Sequence, residues 1–111
     1  MSSSVINNNP LAWKYAPLDK VGTSVIDISG LNFNELCVHV DINQSGNRCE
    51  FILPKNVIQS SGWYRGGGFH NTTNDYQLVV IYANATSVSL SSAYLNGQTY
   101  TNNTRVQIYY R

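Results

Sequence analysis

Charge is scarce in this 111-residue chain: Lys, Arg, Asp and Glu make up 12% of it, about half the usual share in soluble proteins. The net charge is +1, and no stretch gathers Lys and Arg together. Phosphate binding draws on clustered basic side chains that release counterions, so a nucleic-acid partner is not expected. No run is apolar for long enough to span a bilayer, and the start lacks a signal-peptide pattern, so no membrane insertion is expected. Residues 1–10 open on Met-Ser-Ser-Ser-Val-Ile-Asn-Asn-Asn and read as a flexible lead-in, or as the cut end of a longer chain. Residues 11–111 then form one domain, a length that leaves no room for two.

Histidine and cysteine are equally thin, at two each. The segment Leu36-Cys37-Val38-His39-Val40-Asp41-Ile42 alternates with period two, which puts Cys37 beside His39 and Asp41 on the polar face. In the next apolar segment Cys49, Phe51 and Leu53 form the inward set. The two sulfurs therefore point to opposite faces of one sheet and read as free thiols, as in a reducing compartment. Three Asn-x-Thr sequons, at Asn71, Asn84 and Asn102, would matter only in a glycosylating host.

Catalytic chemistry fails on supply. His39 is explained by an ion pair with Glu50, and His70, near Asp75, sits in a Gly-rich loop without a positioned nucleophile. Asp27, Glu35, Asp41 and Glu50 read as strand surface rather than as paired acids across a cleft. Cys37, Cys49 and the two histidines lack zinc spacing. Gly66-Gly67-Gly68 has neither the Lys-Ser/Thr nor the following helix of a phosphate loop. No enzyme, no cofactor and no metal is expected.

What the chain does have is β-branched and aromatic residues in short segments broken by turn signals, with no useful helical periodicity. This pattern predicts an all-β, antiparallel, jelly-roll-like sandwich of about eight strands. The strands are placed near 12–17, 23–28, 35–42, 48–53, 63–65, 76–82, 87–95 and 105–110. One hairpin can be read in register, pairing Val40 with Cys49, Val38 with Phe51 and Leu36 with Leu53. That register sets Asp41 against Arg48 and His39 against Glu50, whereas the neighbouring one would oppose Asp41 to Glu50. Its loop is Asn43-Gln44-Ser45-Gly46, and Asn96-Gly97 is the strongest two-residue hairpin signal. Residues 76–82 are apolar at nearly every position, which predicts a central strand covered on both faces.

The stretch 61–76 brings flat aromatic faces, planar hydrogen-bonding groups and backbone freedom together. Asn, Ser, Thr, Gln and Tyr are abundant throughout, a surface suited to an uncharged ligand. Sugars present C–H faces for stacking and hydroxyls for pairing, so the candidate ligand-binding residues are Trp63, Tyr64, Arg65, His70, Asn71 and Asp75. A second reading makes Trp63 a core residue and the glycines a place where one strand passes close to another. Tyr94, Tyr100, Tyr109 and Tyr110 read as packing at a sheet edge or a subunit contact.

Several pieces, in order, carry a resemblance: Trp13-Lys14, Phe33-Asn34-Glu35-Leu36-Cys37-Val38, Phe51-Ile52-Leu53-Pro54, Ala93-Tyr94-Leu95-Asn96-Gly97 and Val106-Gln107-Ile108-Tyr109-Tyr110-Arg111. From Leu11 onward the chain resembles C-terminal domains of tail fibre and baseplate-associated proteins of bacteriophages and prophages. The resemblance implies a β-sandwich at the tip of a virion's tail appendage, often a homotrimer, made in the bacterial cytoplasm and used in host attachment. It carries over no binding motif. The expected function is recognition of a cell-surface carbohydrate. The alternatives are a structural tail domain making subunit contacts, or a free-standing lectin-like module.

Overall fold

Alternation between Glu35 and Ile42 leaves Leu36, Val38, Val40 and Ile42 fully buried, and the sheet around this strand closes one half of the core. The computed structural model describes residues 12–58, 60–69 and 76–111. Its strands are β1 (Lys14–Val21), β2 (Ile26–Asp27), β3 (Glu35–Ile42), β4 (Asn47–Pro54), β5 (Gly62–Phe69), β6 (Tyr76–Ala83), β7 (Ser87–Leu95), β8 (Gln98–Thr99) and β9 (Arg105–Tyr110). A single helical turn, α1 (Lys55–Ile58), follows β4, and a 3₁₀ turn (Thr101–Asn103) precedes β9. The first sheet has the order β1-β9-β3-β4, and the second β2-β7-β6-β5 with β8 also on β7. All pairings are antiparallel. This is the expected all-β sandwich, with nine strands in place of about eight because β8 is a separate two-residue strand.

The two sheets face each other across one apolar layer. The first contributes Ala16, Val38, Phe51, Val106 and Ile108, among others, and the second Ile26, Val79, Ile81, Val88, Leu90 and Ala93. Chain crossing between the sheets is short after β4, where α1 inserts a fully buried Ile58 at the sandwich margin. The β3–β4 register is the one that charge and pattern require, with Val40 opposite Cys49, Asp41 opposite Arg48 and His39 opposite Glu50. Its loop places Asn43, Gln44 and Gly46 at positive φ, and the Asp41 carboxylate accepts from the Gly46 N–H at 2.8 Å. Asn96 (φ 50°) and Gly97 (φ 82°) form the two-residue turn between β7 and β8, both left-handed as a type I′ turn needs.

Five expectations need correction. The strand placed at 12–17 runs from Lys14 to Val21, and the one placed at 23–28 shrinks to Ile26–Asp27. The strand placed at 63–65 extends through the glycines to Phe69, because backbone pairing with β6 continues where side chains give no pattern. β6 is central, yet only Val79, Ile81 and Ala83 are buried; Leu78, Val80 and Tyr82 stay half-exposed on a face that nothing among the described residues covers completely. Cys37 does point away from the sandwich core, but it is 7% exposed rather than on an open polar face. Trp13 and Tyr109 line the hollow above it. Both cysteines are free.

Candidate functional site

Residues directly opposite one another in antiparallel strands share a face, so the register of β5, β6 and β7 fixes what the outer side of the second sheet presents. One row is Trp63, Tyr82 and Ser89. The next is Arg65, Val80 and Ser92, and the third is Gly67, Leu78, Tyr94 and Thr99. The face alternates between rings and branched aliphatics on one hand and hydroxyls and a guanidinium on the other. Trp63 is 60% exposed, and its ring meets Tyr82 edge-on with centroids 5.0 Å apart. That contact steadies an indole which otherwise stands in solvent.

Beside this row lies a shallow groove of about 340 Å³ lined by Arg65, Gly66, Gly67, Gly68, Tyr76, Gln77 and Leu78. The glycines create it for two separate reasons. Gly67 has φ +139°, and a Cβ there would overlap the Gln77 carbonyl, so only glycine permits this approach of β5 to β6. Gly66 faces the interior, where a Cβ would lie 2.7 Å from Cys49 Sγ, so its absence lets β5 settle against β4. The groove is thus the outer consequence of close packing inside. Arg65 is exposed at its rim, and among the described residues no ion pair engages it.

Of the residues singled out from the sequence, Trp63 and Arg65 share the outer face. Tyr64 does not: it stands opposite Ile81 and packs half-buried against the core. The roles expected of the two neighbouring rings are therefore divided, with Trp63 outward and Tyr64 inward. His70, Asn71 and Asp75 lie outside the described residues. Tyr94, read from the sequence as sheet-edge or subunit packing, lies on this face too; Tyr82, Val80 and Leu78 are not among the sequence candidates, although parity along 76–82 identifies them once Ile81 is known to be inside. Tyr100 and Tyr110 pack against the core, while Tyr109 lies on the outer face of the first sheet.

Other chemistry is limited by its surroundings. His39 Nε2 lies 3.9 Å from the Glu50 carboxylate, the pairing that the register predicts. Burial pushes the Cys37 thiol up to about 11, reinforced by the Glu50 charge, and burial raises Cys49 as well. A thiol that remains protonated at neutral pH is a small apolar group rather than a nucleophile. Among the described residues no three His, Cys, Asp or Glu side chains group closely enough to hold a metal ion, and no helix is long and apolar enough to cross a membrane. Compared with protein-family models, curated proteins and solved structures, the chain matches none.

Proposed function

We propose that this chain is a non-enzymatic receptor-binding domain from the tip of a phage tail, and that the outer face of its second sheet binds an uncharged bacterial cell-surface glycan. The observation that carries the binding reading is Trp63, 60% exposed and steadied edge-on against Tyr82 beside the glycine groove. A pyranose ring lays its C–H face on an indole, and its hydroxyls then meet Arg65, Ser89 and Ser92 on the same face. With a net charge of +1 the chain has little field to steer an ionic partner, so discrimination rests on shape and hydrogen bonding. The phage assignment, the homotrimer and the virion location rest on the resemblance of residues 11–111. Free thiols suit a protein made in the bacterial cytoplasm.

A second reading, a structural tail domain making subunit contacts, is favoured by one feature. β5 is an edge of the second sheet with no further strand on it among the described residues, and an open edge is a template for another chain. Glycan-array binding together with solution mass separates these. Saturable binding to neutral glycans by a trimer supports the proposal. A trimer that binds no glycan supports the structural reading, and a monomer that binds one supports a free-standing lectin-like module.

A further inference from the structure

The open edge of a strand is a row of backbone groups that another strand can pair with, and the edges of this sandwich are not alike. β1 carries Lys14, Pro17 and Lys20, and its register with β9 breaks between Ala16 and Lys20. β4 carries Arg48, Glu50 and Pro54, while β2 and β8 are two residues each. Charge, proline, broken register and shortness are the ordinary ways of blunting an edge. β5 is different. It is eight residues long, has no proline, pairs with β6 in unbroken register, and holds one charge, Arg65. Among the described residues no strand lies on its other side.

The ladder fixes which groups that edge presents. Asn96 N–H donates to the Tyr76 carbonyl at 2.8 Å, so the backbone groups of Tyr76 face β7. Alternation along β6 then turns those of Gln77, Val79 and Ile81 toward β5, where they meet Gly68, Gly66 and Tyr64. The N–H and C=O groups of Trp63, Arg65 and Gly67 therefore point away from β6, out of the open edge. All three residues are exposed, whereas Gly62, Tyr64 and Gly66 are half-buried.

We propose that a second copy of this chain pairs with that edge, β5 against β5, about a two-fold axis through Gly66. Antiparallel self-pairing about an axis normal to the sheet keeps both outer faces on one side, so outward residues oppose outward ones. An axis through Arg65 would set the two guanidiniums directly opposite one another, which like charge disfavours. The axis through Gly66 instead sets Arg65 opposite the partner's Gly67 and Tyr64 opposite the partner's Gly68, positions without side chains. The space at Gly68 is open, with nothing within 4 Å of a Cβ built there. Arg65 and the partner's Gly67 exchange both backbone hydrogen bonds, and the symmetry repeats the exchange. The partner's Arg65 then stands beside Gly67 on the outer face, so each copy adds a guanidinium to the other's groove. This names the partner and register of the subunit contact considered above, and it does not need the glycan reading. Copies that also form a trimer would pair trimer to trimer.

Sedimentation equilibrium of the full chain should show this pairing as a reversible doubling of mass. Its dissociation constant should lie in roughly the micromolar to millimolar range, as suits a contact smaller than a standard interface. Amide exchange followed by NMR at two concentrations then reads the register. At the higher one the Trp63, Arg65 and Gly67 amides should gain at least about tenfold protection, while Tyr64, Gly66 and Gly68 are protected by β6 at both. Arg65→Pro removes an outward N–H that β6 does not use, at an edge position where proline is tolerated, and should weaken pairing at least about tenfold. Arg65→Ala keeps the N–H and should pair as the unaltered chain does. A chain without the doubling at about millimolar concentration, or edge amides that stay unprotected in whatever assembly forms, overturns the proposal. So does an Arg65→Pro variant that pairs as tightly as the parent, or an Arg65→Ala variant that does not pair. Should Arg65→Pro fail to fold, the amide pattern of the unaltered chain decides. Glycan binding by a chain whose edge amides stay unprotected overturns this inference alone. Protected edge amides in a chain that binds no glycan overturn the glycan reading alone.

Discussion

Replacing Gly66 by alanine adds one methyl where β5 packs against β4 of the other sheet, behind the groove. The new Cβ lies 2.7 Å from Cys49 Sγ and 3.1 Å from two ring carbons of Phe51. Both neighbours are buried in β4, and neither is the free end of a flexible side chain. Overpacking of this kind costs about 1–3 kcal/mol. Gly66 is not in the left-handed region, so the alanine backbone fits and recovers about 0.4–1 kcal/mol through the unfolded state. The net loss should be about 1–2 kcal/mol. Cys49→Ala alone removes the sulfur and leaves a small void, at a cost of about 1–2 kcal/mol. Together the two changes exchange one atom's volume across the contact, so the double variant should lose at least about 1 kcal/mol less than the sum. Urea unfolding of the four proteins, with m-values held equal, gives the coupling directly. Additivity within about 0.3–0.5 kcal/mol would show that β5 and β4 do not touch here, and the origin assigned to the groove would fall with it.

Thr104 is fully buried; its hydroxyl accepts from the Asn43 N–H at 3.1 Å and donates to the Tyr100 carbonyl at 2.8 Å. Thr104→Val strands that N–H and should cost about 1–3 kcal/mol by thermal or urea unfolding; an unchanged midpoint would refute the hydroxyl's bridging role. Cys37→Ser and Cys49→Ser should be similarly destabilising, about 1–3 kcal/mol, because both sulfurs are buried; a silent Cys37→Ser would contradict that burial. The Cys37 thiol, raised from about 9 to about 11 by burial, binds its proton more tightly in the folded state. Stability from this group is therefore fully present below about pH 9 and is lost as pH rises through about 11, and Cys37→Ala should flatten that loss in unfolding curves taken across the window.

The β3–β4 hairpin was legible because its evidence is local and redundant. Only one shift pairs Val38 with Phe51, avoids setting Asp41 against Glu50, and leaves four residues for the loop. The Asn96-Gly97 turn was legible for a similar reason, since few residues accept two left-handed positions in succession. β5 was half-lost because Gly66, Gly67 and Gly68 carry no side chains from which a period could be read. The facing of Trp63 and Tyr64 was undecidable from β5 itself, where two adjacent rings fit either parity. It is settled by pairing with β6, which puts Tyr64 opposite Ile81 and Trp63 opposite Tyr82. The surroundings of Cys37 include Trp13, twenty-four positions earlier, which lines the same hollow on the outer face of the first sheet. Strand periodicity says which way a side chain points, and it is silent on what arrives above it.

Trp63→Ala is the most direct test of glycan binding by the second sheet. The indole is 60% exposed, so truncation removes only the covered part of its packing and the edge contact with Tyr82, about 1–2 kcal/mol, well short of the roughly 3–5 kcal/mol of a buried aromatic. Binding to the surface glycan that the unaltered chain recognises should be measured by calorimetry beside a thermal melt. The account predicts affinity at least about tenfold weaker in a protein that still folds cooperatively. Unchanged affinity in that folded protein would contradict it.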